Sequence, residues 1–93
     1  IRPMDIVWDP VKARSNFEKH GIAFPDAEPV LFDPYAITIE DEREDDEQRF
    51  VTLGMDALGR ILVVVYTYRE QAIRLISARS ATQGERRRYE TGI

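Results

Sequence analysis

Arginine is crowded into one part of this 93-residue chain. From Arg60 to the end there are seven (Arg60, Arg69, Arg74, Arg79, Arg86, Arg87, Arg88) against Glu70, Glu85 and Glu90, so this stretch carries +4. The chain as a whole is at −4, which leaves −8 for residues 1–59. No lysine occurs in the basic stretch, and an arginine fork grips phosphate in a bidentate way that lysine cannot. One reading is a local polyanion site. The other pairs these arginines with the acidic run Glu40–Glu47 in a purely structural network.

His20 is the single histidine, the one side-chain type that ordinarily exchanges protons near neutrality. Glu47 stands two residues before Arg49, on the same face if the segment is a strand. Arg49, Arg74 and Arg79 fall on or at the ends of strand-like segments, and Tyr66 and Tyr68 share one strand face, where rings stack on bases or donate protons. Breaking an RNA backbone without a metal needs a base for the 2′-hydroxyl, an acid for the leaving 5′-oxygen and cations for the phosphorane. This chain holds such a set. Each member has a plainer alternative. An imidazole at a helix C-terminus also serves as a cap, and Arg86-Arg87-Arg88 is also a solvated helix face. Arg74, inside Ile73-Arg74-Leu75-Ile76, points to a face that is solvated or holds a ligand. Arg74 and Arg79 have opposite parity, so they share a site only if the strand ends or bulges near Ala78. Trp8 and Phe17 are read as core. No glycine-rich phosphate loop, nucleophile elbow or metal-ligand spacing is present.

The elements that must carry these residues belong to one small domain, 43% hydrophobic and 32% charged. Cysteine is absent, which fits a cytoplasmic setting, and with one histidine no zinc site or cofactor is expected. The longest apolar run, Ile61 to Tyr66, is too short to span a bilayer, and no leader pattern opens the chain. Ile1-Arg2-Pro3 precedes Met4, so the native start is expected at Met4.

Asp5 to Trp8 reads as a short strand. Asp9-Pro10 starts a helix that Gly21 ends. Phe24 to Phe32 is a second short helix confined by Pro25 and Pro29. Strands follow at Ala36–Ile39, Gln48–Met55, Ile61–Tyr68 and Ala72–Ala78, with a turn at Asp56-Ala57-Leu58-Gly59. The run from Glu40 to Glu47 reads as an exposed hairpin loop or edge. Thr82 and Glu85 form a capping box that opens a C-terminal helix with little apolar content. The expectation is an α+β domain, a small antiparallel sheet with two N-terminal helices and one C-terminal helix, all helices on one side.

Trp8-Asp9-Pro10 with Lys12, then Asn16-Phe17-Glu18-Lys19-His20-Gly21, Phe24 and Ala27 resembles the opening of the BrnT family of toxins. The resemblance continues through Asp33, Glu47-Gln48-Arg49, Gly54, Val64-Val65-Tyr66-Thr67, Ile76-Ser77-Ala78-Arg79, Ala81-Thr82, Glu85-Arg86 and Tyr89. It implies a RelE-like fold and a ribonuclease toxin of a type II toxin–antitoxin pair. Its implied partner is a BrnA-like ribbon-helix-helix antitoxin, through which alone operator DNA would be reached. The implied catalytic positions are His20, Glu47, Arg49, Arg74 and Arg79, with Lys19, Tyr66 and Arg86 on the RNA. One departure stands out: Ser80 occupies a place where the family usually has lysine. The alternatives left open are a binding module that does not cleave and a degenerate toxin kept as a regulatory subunit.

Overall fold

The computed structural model describes residues 4–41 and 48–92. Its elements are β1 (Asp5–Val7), α1 (Pro10–His20), α2 (Phe24–Ala27), a 3-10 helix (Glu28–Phe32), β2 (Ile37–Asp41), β3 (Arg49–Met55), β4 (Ile61–Arg69), β5 (Ala72–Ser80) and α3 (Gln83–Thr91). Local chemistry sets the helix ends. The Asp9 carboxylate accepts the Val11 N–H at 2.9 Å, Pro10 fills the first turn, and Gly21 closes α1 at φ +72°. Thr82 and Glu85 form the reciprocal capping box of α3. Glu47 and most of the acidic run lie outside the described residues.

The five strands are ordered β1-β5-β4-β3-β2. Neighbours are antiparallel except β1, which runs parallel to β5, so the expected antiparallel sheet is mixed. Alternation of apolar residues says nothing about strand direction, and the long connection from β1 to β5 permits parallel pairing. One sheet face, here the inner face, lies under α1, α2 and the 3-10 helix. Its core joins Leu62, Val64 and Tyr66 of β4 to Ile73, Leu75 and Ala78 of β5, with Phe24, Ala27 and Val30 above them. Gly54 lets the 3-10 helix settle on β3: a Cβ there would stand 3.1 Å from the Val30 carbonyl oxygen.

The placement of α3 corrects a second expectation, since it lies on the opposite, outer face. Ala81 and Tyr89 pack there against Leu53, Ile61 and Val63. The alternation along β4 is apolar on both sides, and α3 uses the second side. Tyr89 donates its hydroxyl to Asp33 at 2.5 Å, and Asp33 also accepts the Met55 and Tyr35 N–H groups. Burial pushes the Asp33 carboxyl up, but these hydrogen bonds outweigh it and leave it below the ordinary range. The same bond drives the Tyr89 phenol up to about 12.

Two irregularities in β5 shape the outer face and its edge. Val65 pairs with Ser77 while Tyr66 pairs with Leu75, so Ile76 is an extra residue in β5. Such a bulge reverses the facing of everything beyond it. Also, β1 covers only Ala72 to Arg74, leaving the outer edge from Leu75 without a strand among the described residues. Asn16 of α1, buried at 7% exposure, takes the strand's place. Its carboxamide accepts the Ala78 N–H at 3.0 Å and donates to the Ala78 carbonyl at 2.9 Å and the Ile22 carbonyl at 3.1 Å.

Candidate active site

On the outer face the register sets three rows across the strands. Ile39, Val51, Val65 and Ser77 are successive partners and form the middle row. Toward α3 runs Ile37, Leu53, Val63 and Arg79. On the other side Asp41 pairs with Arg49, and Thr67 pairs with Arg74. The aliphatic middle row therefore lies between cations, with Arg79 on one side and Arg49 and Arg74 on the other. Arg49 and Leu53 are four residues apart on β3, so the flanking rows stand roughly 13 Å apart along the strands.

Here α1 completes a groove. Asn16 holds the helix against the free edge of β5, and one turn later Lys19 and His20 reach over that edge. They line, with Ile39, Glu40, Asp41, Arg49, Val51, Val63, Val65, Ile76, Ser77 and Arg79, an open groove of about 540 Å³. Of the residues expected in a site, the structure brings together His20, Lys19, Arg49 and Arg79. Arg74 reaches the same face because of the Ile76 bulge, but it stands outside the groove lining.

Two expected RNA contacts are placed elsewhere. Tyr66 is 5% exposed on the inner face, and its hydroxyl is in a hydrogen-bonded chain with Thr52 and Thr38, each link 2.8 Å. It stacks on Phe50 rather than offering a ring to the groove. Tyr66 shares parity with core residues Val64 and Leu62, and the uniformly apolar stretch concealed which parity was buried. Arg86 is exposed on α3 and does not line the groove. Phe17, read as core, is 55% exposed, because Asn16 rather than Phe17 holds the inward position of α1. Trp8 is half-buried, edge-on to Phe24. Ser80 pairs with Leu62, an inner-face residue, so its side chain points away from the face that holds Arg79.

Glu85 was legible as a helix cap, yet it does a second job. Its two carboxylate oxygens each accept from a terminal nitrogen of Arg79 at 2.9 Å, while Oε1 also accepts the Thr82 N–H at 2.8 Å. The fork of Arg79 is thus aimed by the first turn of α3, leaving Nε and part of one terminal nitrogen for a ligand. Arg79 holds the Glu85 carboxyl down at about 2. A depressed acid contributes stability above its unfolded value of 4.5 and loses it as pH falls through its folded value. Stability should accordingly be insensitive to this pair from pH 8 to 5 and decline through it between about 4.5 and 2. In urea titrations across pH, Glu85→Gln should flatten that part of the acid limb, and an unchanged limb would show that the pair contributes nothing. The partly exposed setting keeps the effect to about 1 kcal/mol.

Comparisons with known proteins point one way. Residues 8–85 match a family described as the ribonuclease toxin BrnT of type II toxin–antitoxin systems. Among solved structures, the chain is similar to the ribonuclease toxin BrnT of Brucella abortus. The two share 31% identity and a TM-score of 0.68, over 86% of this chain and 99% of that one. No curated protein sequence matches the chain. The family match covers most of the sequence, and the chain belongs to the BrnT family of ribonuclease toxins of type II toxin–antitoxin systems.

Proposed function

We propose that the chain is a metal-independent endoribonuclease that blocks translation by cutting RNA in the cytoplasm, within a RelE-like fold. The groove that gathers Lys19, His20, Arg49 and Arg79 around an aliphatic floor is the observation that supports this reading. A single-stranded segment laid across Val51 and Val65 would rest a base on the floor, with its phosphate between arginines. The 2′-oxygen attacks the adjacent phosphorus, and a general base removes its proton. The bond to the 5′-oxygen breaks, and a general acid protonates that oxygen, leaving a 2′,3′-cyclic phosphate. The guanidinium groups of Arg79 and Arg49, with Arg74 farther along the face, offset the charge that builds on the phosphorane. His20 and Glu47 are the proton carriers in this scheme. The partner is a BrnA-like ribbon-helix-helix antitoxin, and operator DNA is engaged only through it.

The test is incubation of antitoxin-free protein with a defined RNA in EDTA, reading fragment ends. The expected result is cleavage leaving 2′,3′-cyclic phosphate, lost in His20→Ala. Cleavage that stops in EDTA would remove the metal-free mechanism. Binding without cleavage, with free RNA and with translating ribosomes alike, would favour a binding module.

A further inference from the structure

The groove does not end at His20. On the far side of the β5 edge a second open cavity, of about 270 Å³, is lined by Lys12, Ser15, Asn16, Lys19, His20, Ile76 and Ser77. Four of these residues, Lys19, His20, Ile76 and Ser77, also line the first groove. The two spaces are therefore one continuous surface, passing over the stretch of β5 that lies beyond the reach of β1.

Charge gives this surface a direction. At its β2 end the groove is walled by Glu40 and Asp41, and the sequence continues to Glu47 with five acids and one arginine. The cavity beyond His20 has no acidic lining residue among the described residues, and it carries Lys12 and Lys19 with the Ser15 hydroxyl between them. Lys12, Ser15 and Lys19 sit at i, i+3 and i+7, one stripe of α1. Seven residues of helix separate the two lysines by about 10 Å, more than one nucleotide's reach. A polyanion leaving the groove meets repulsion one way and donors the other.

We infer that Lys12, Ser15 and Lys19 form a subsite for backbone phosphate of nucleotides flanking the one held in the groove. The ligand is single-stranded RNA of at least three nucleotides. The inference rests on the proposed nuclease reading for the direction of the chain, but its test does not depend on cleavage.

Binding of a fluorescent single-stranded octanucleotide with 2′-O-methyl sugars, which lack the attacking hydroxyl, is measured by anisotropy across a salt series. Lys12→Ala should weaken binding roughly three- to tenfold, to a similar degree for different sequences. It should also reduce the slope of log affinity against log salt by about 0.7, one single-strand phosphate contact. Lys12→Arg should keep both values, and Glu18→Ala, on the same helix but outside both grooves, should leave both unchanged. A Lys12→Ala protein with the parental affinity and slope would overturn the subsite even if the parent cleaves RNA. The expected Lys12→Ala loss in a protein that never cleaves would sustain the subsite and sink the nuclease reading. No binding by the parent protein would overturn the subsite, while the nuclease reading stands or falls by the cleavage test.

Discussion

Arg79→Ala is expected to lower the rate of RNA cleavage by about 10²–10³-fold, the usual effect of deleting one preorganised donor from a developing charge. Three features single this residue out. It stands at the edge of the aliphatic row where a phosphate would lie, it lines the groove with His20, and its guanidinium is oriented by both oxygens of Glu85. An arginine aimed in advance loses less freedom when it meets the transition state than one that must be ordered then. Arg79→Lys should restore little, because an ammonium cannot keep the two-point contact with Glu85. The fold should survive, since a partly exposed ion pair is worth about 1 kcal/mol or less. Single-turnover cleavage of a labelled RNA, alongside thermal melting, reads both effects. A folded Arg79→Ala protein that cuts at the parental rate would remove Arg79 from the mechanism.

Asn16→Ala should produce the largest loss of stability of any single change in α1, about 3 kcal/mol or more. The substitution strands the Ala78 N–H and the carbonyls of Ala78 and Ile22, all served now by one buried carboxamide. Each buried polar group left unsatisfied costs about 1–3 kcal/mol. For a domain of this size the melting temperature should fall by roughly 12–25 °C. Asn16→Asp should be at least as harmful, because it places a carboxylate against two carbonyl oxygens without a donor. Urea unfolding gives the number directly. A loss below about 1 kcal/mol would mean that water reaches this edge and replaces the side chain. The effect should also reach function, since this amide fixes α1 one turn before His20.

Much of this architecture could be read from local signals. Asp9-Pro10 and Gly21 bounded α1, Thr82 and Glu85 opened α3, and Asp56 to Gly59 separated β3 from β4, as the structure has them. These are short-range rules, and they hold because capping and turn chemistry act within a few residues. What depended on tertiary choice was harder to read. Nothing in Asp5–Val7 announces a parallel partner sixty-odd residues away. Nothing in the thin apolar content of α3 announces which sheet face Tyr89 would choose. Among the expected site residues, His20, Arg49 and Arg79 were singled out by type and position and Lys19 with the family resemblance, and all four line one groove. Tyr66 was misplaced because β4 is apolar on both sides, so parity grouped Tyr66 with Tyr68 but did not say which group was buried. Asn16 passed as part of a motif, although an amide on the inward stripe of an amphipathic helix is a signal, because a buried amide must find partners.

The extra residue at Ile76 has a consequence for how this protein tolerates change. Because the bulge takes one residue of β5 out of the alternation, Arg74 and Arg79 face the same way despite their opposite parity, whatever side chain stands at the bulge. Exchanging Ile76 for another side chain leaves the pairing on either side of it intact. Deleting it would make Leu75 and Ser77 neighbours opposite Tyr66 and Val65, so the ladder would close into regular alternation with Arg79 still facing outward and Ala78 inward. What would turn Arg79 inward is the loss of the bulge with all its residues kept, since in an unbroken strand positions 74 and 79 point to opposite faces.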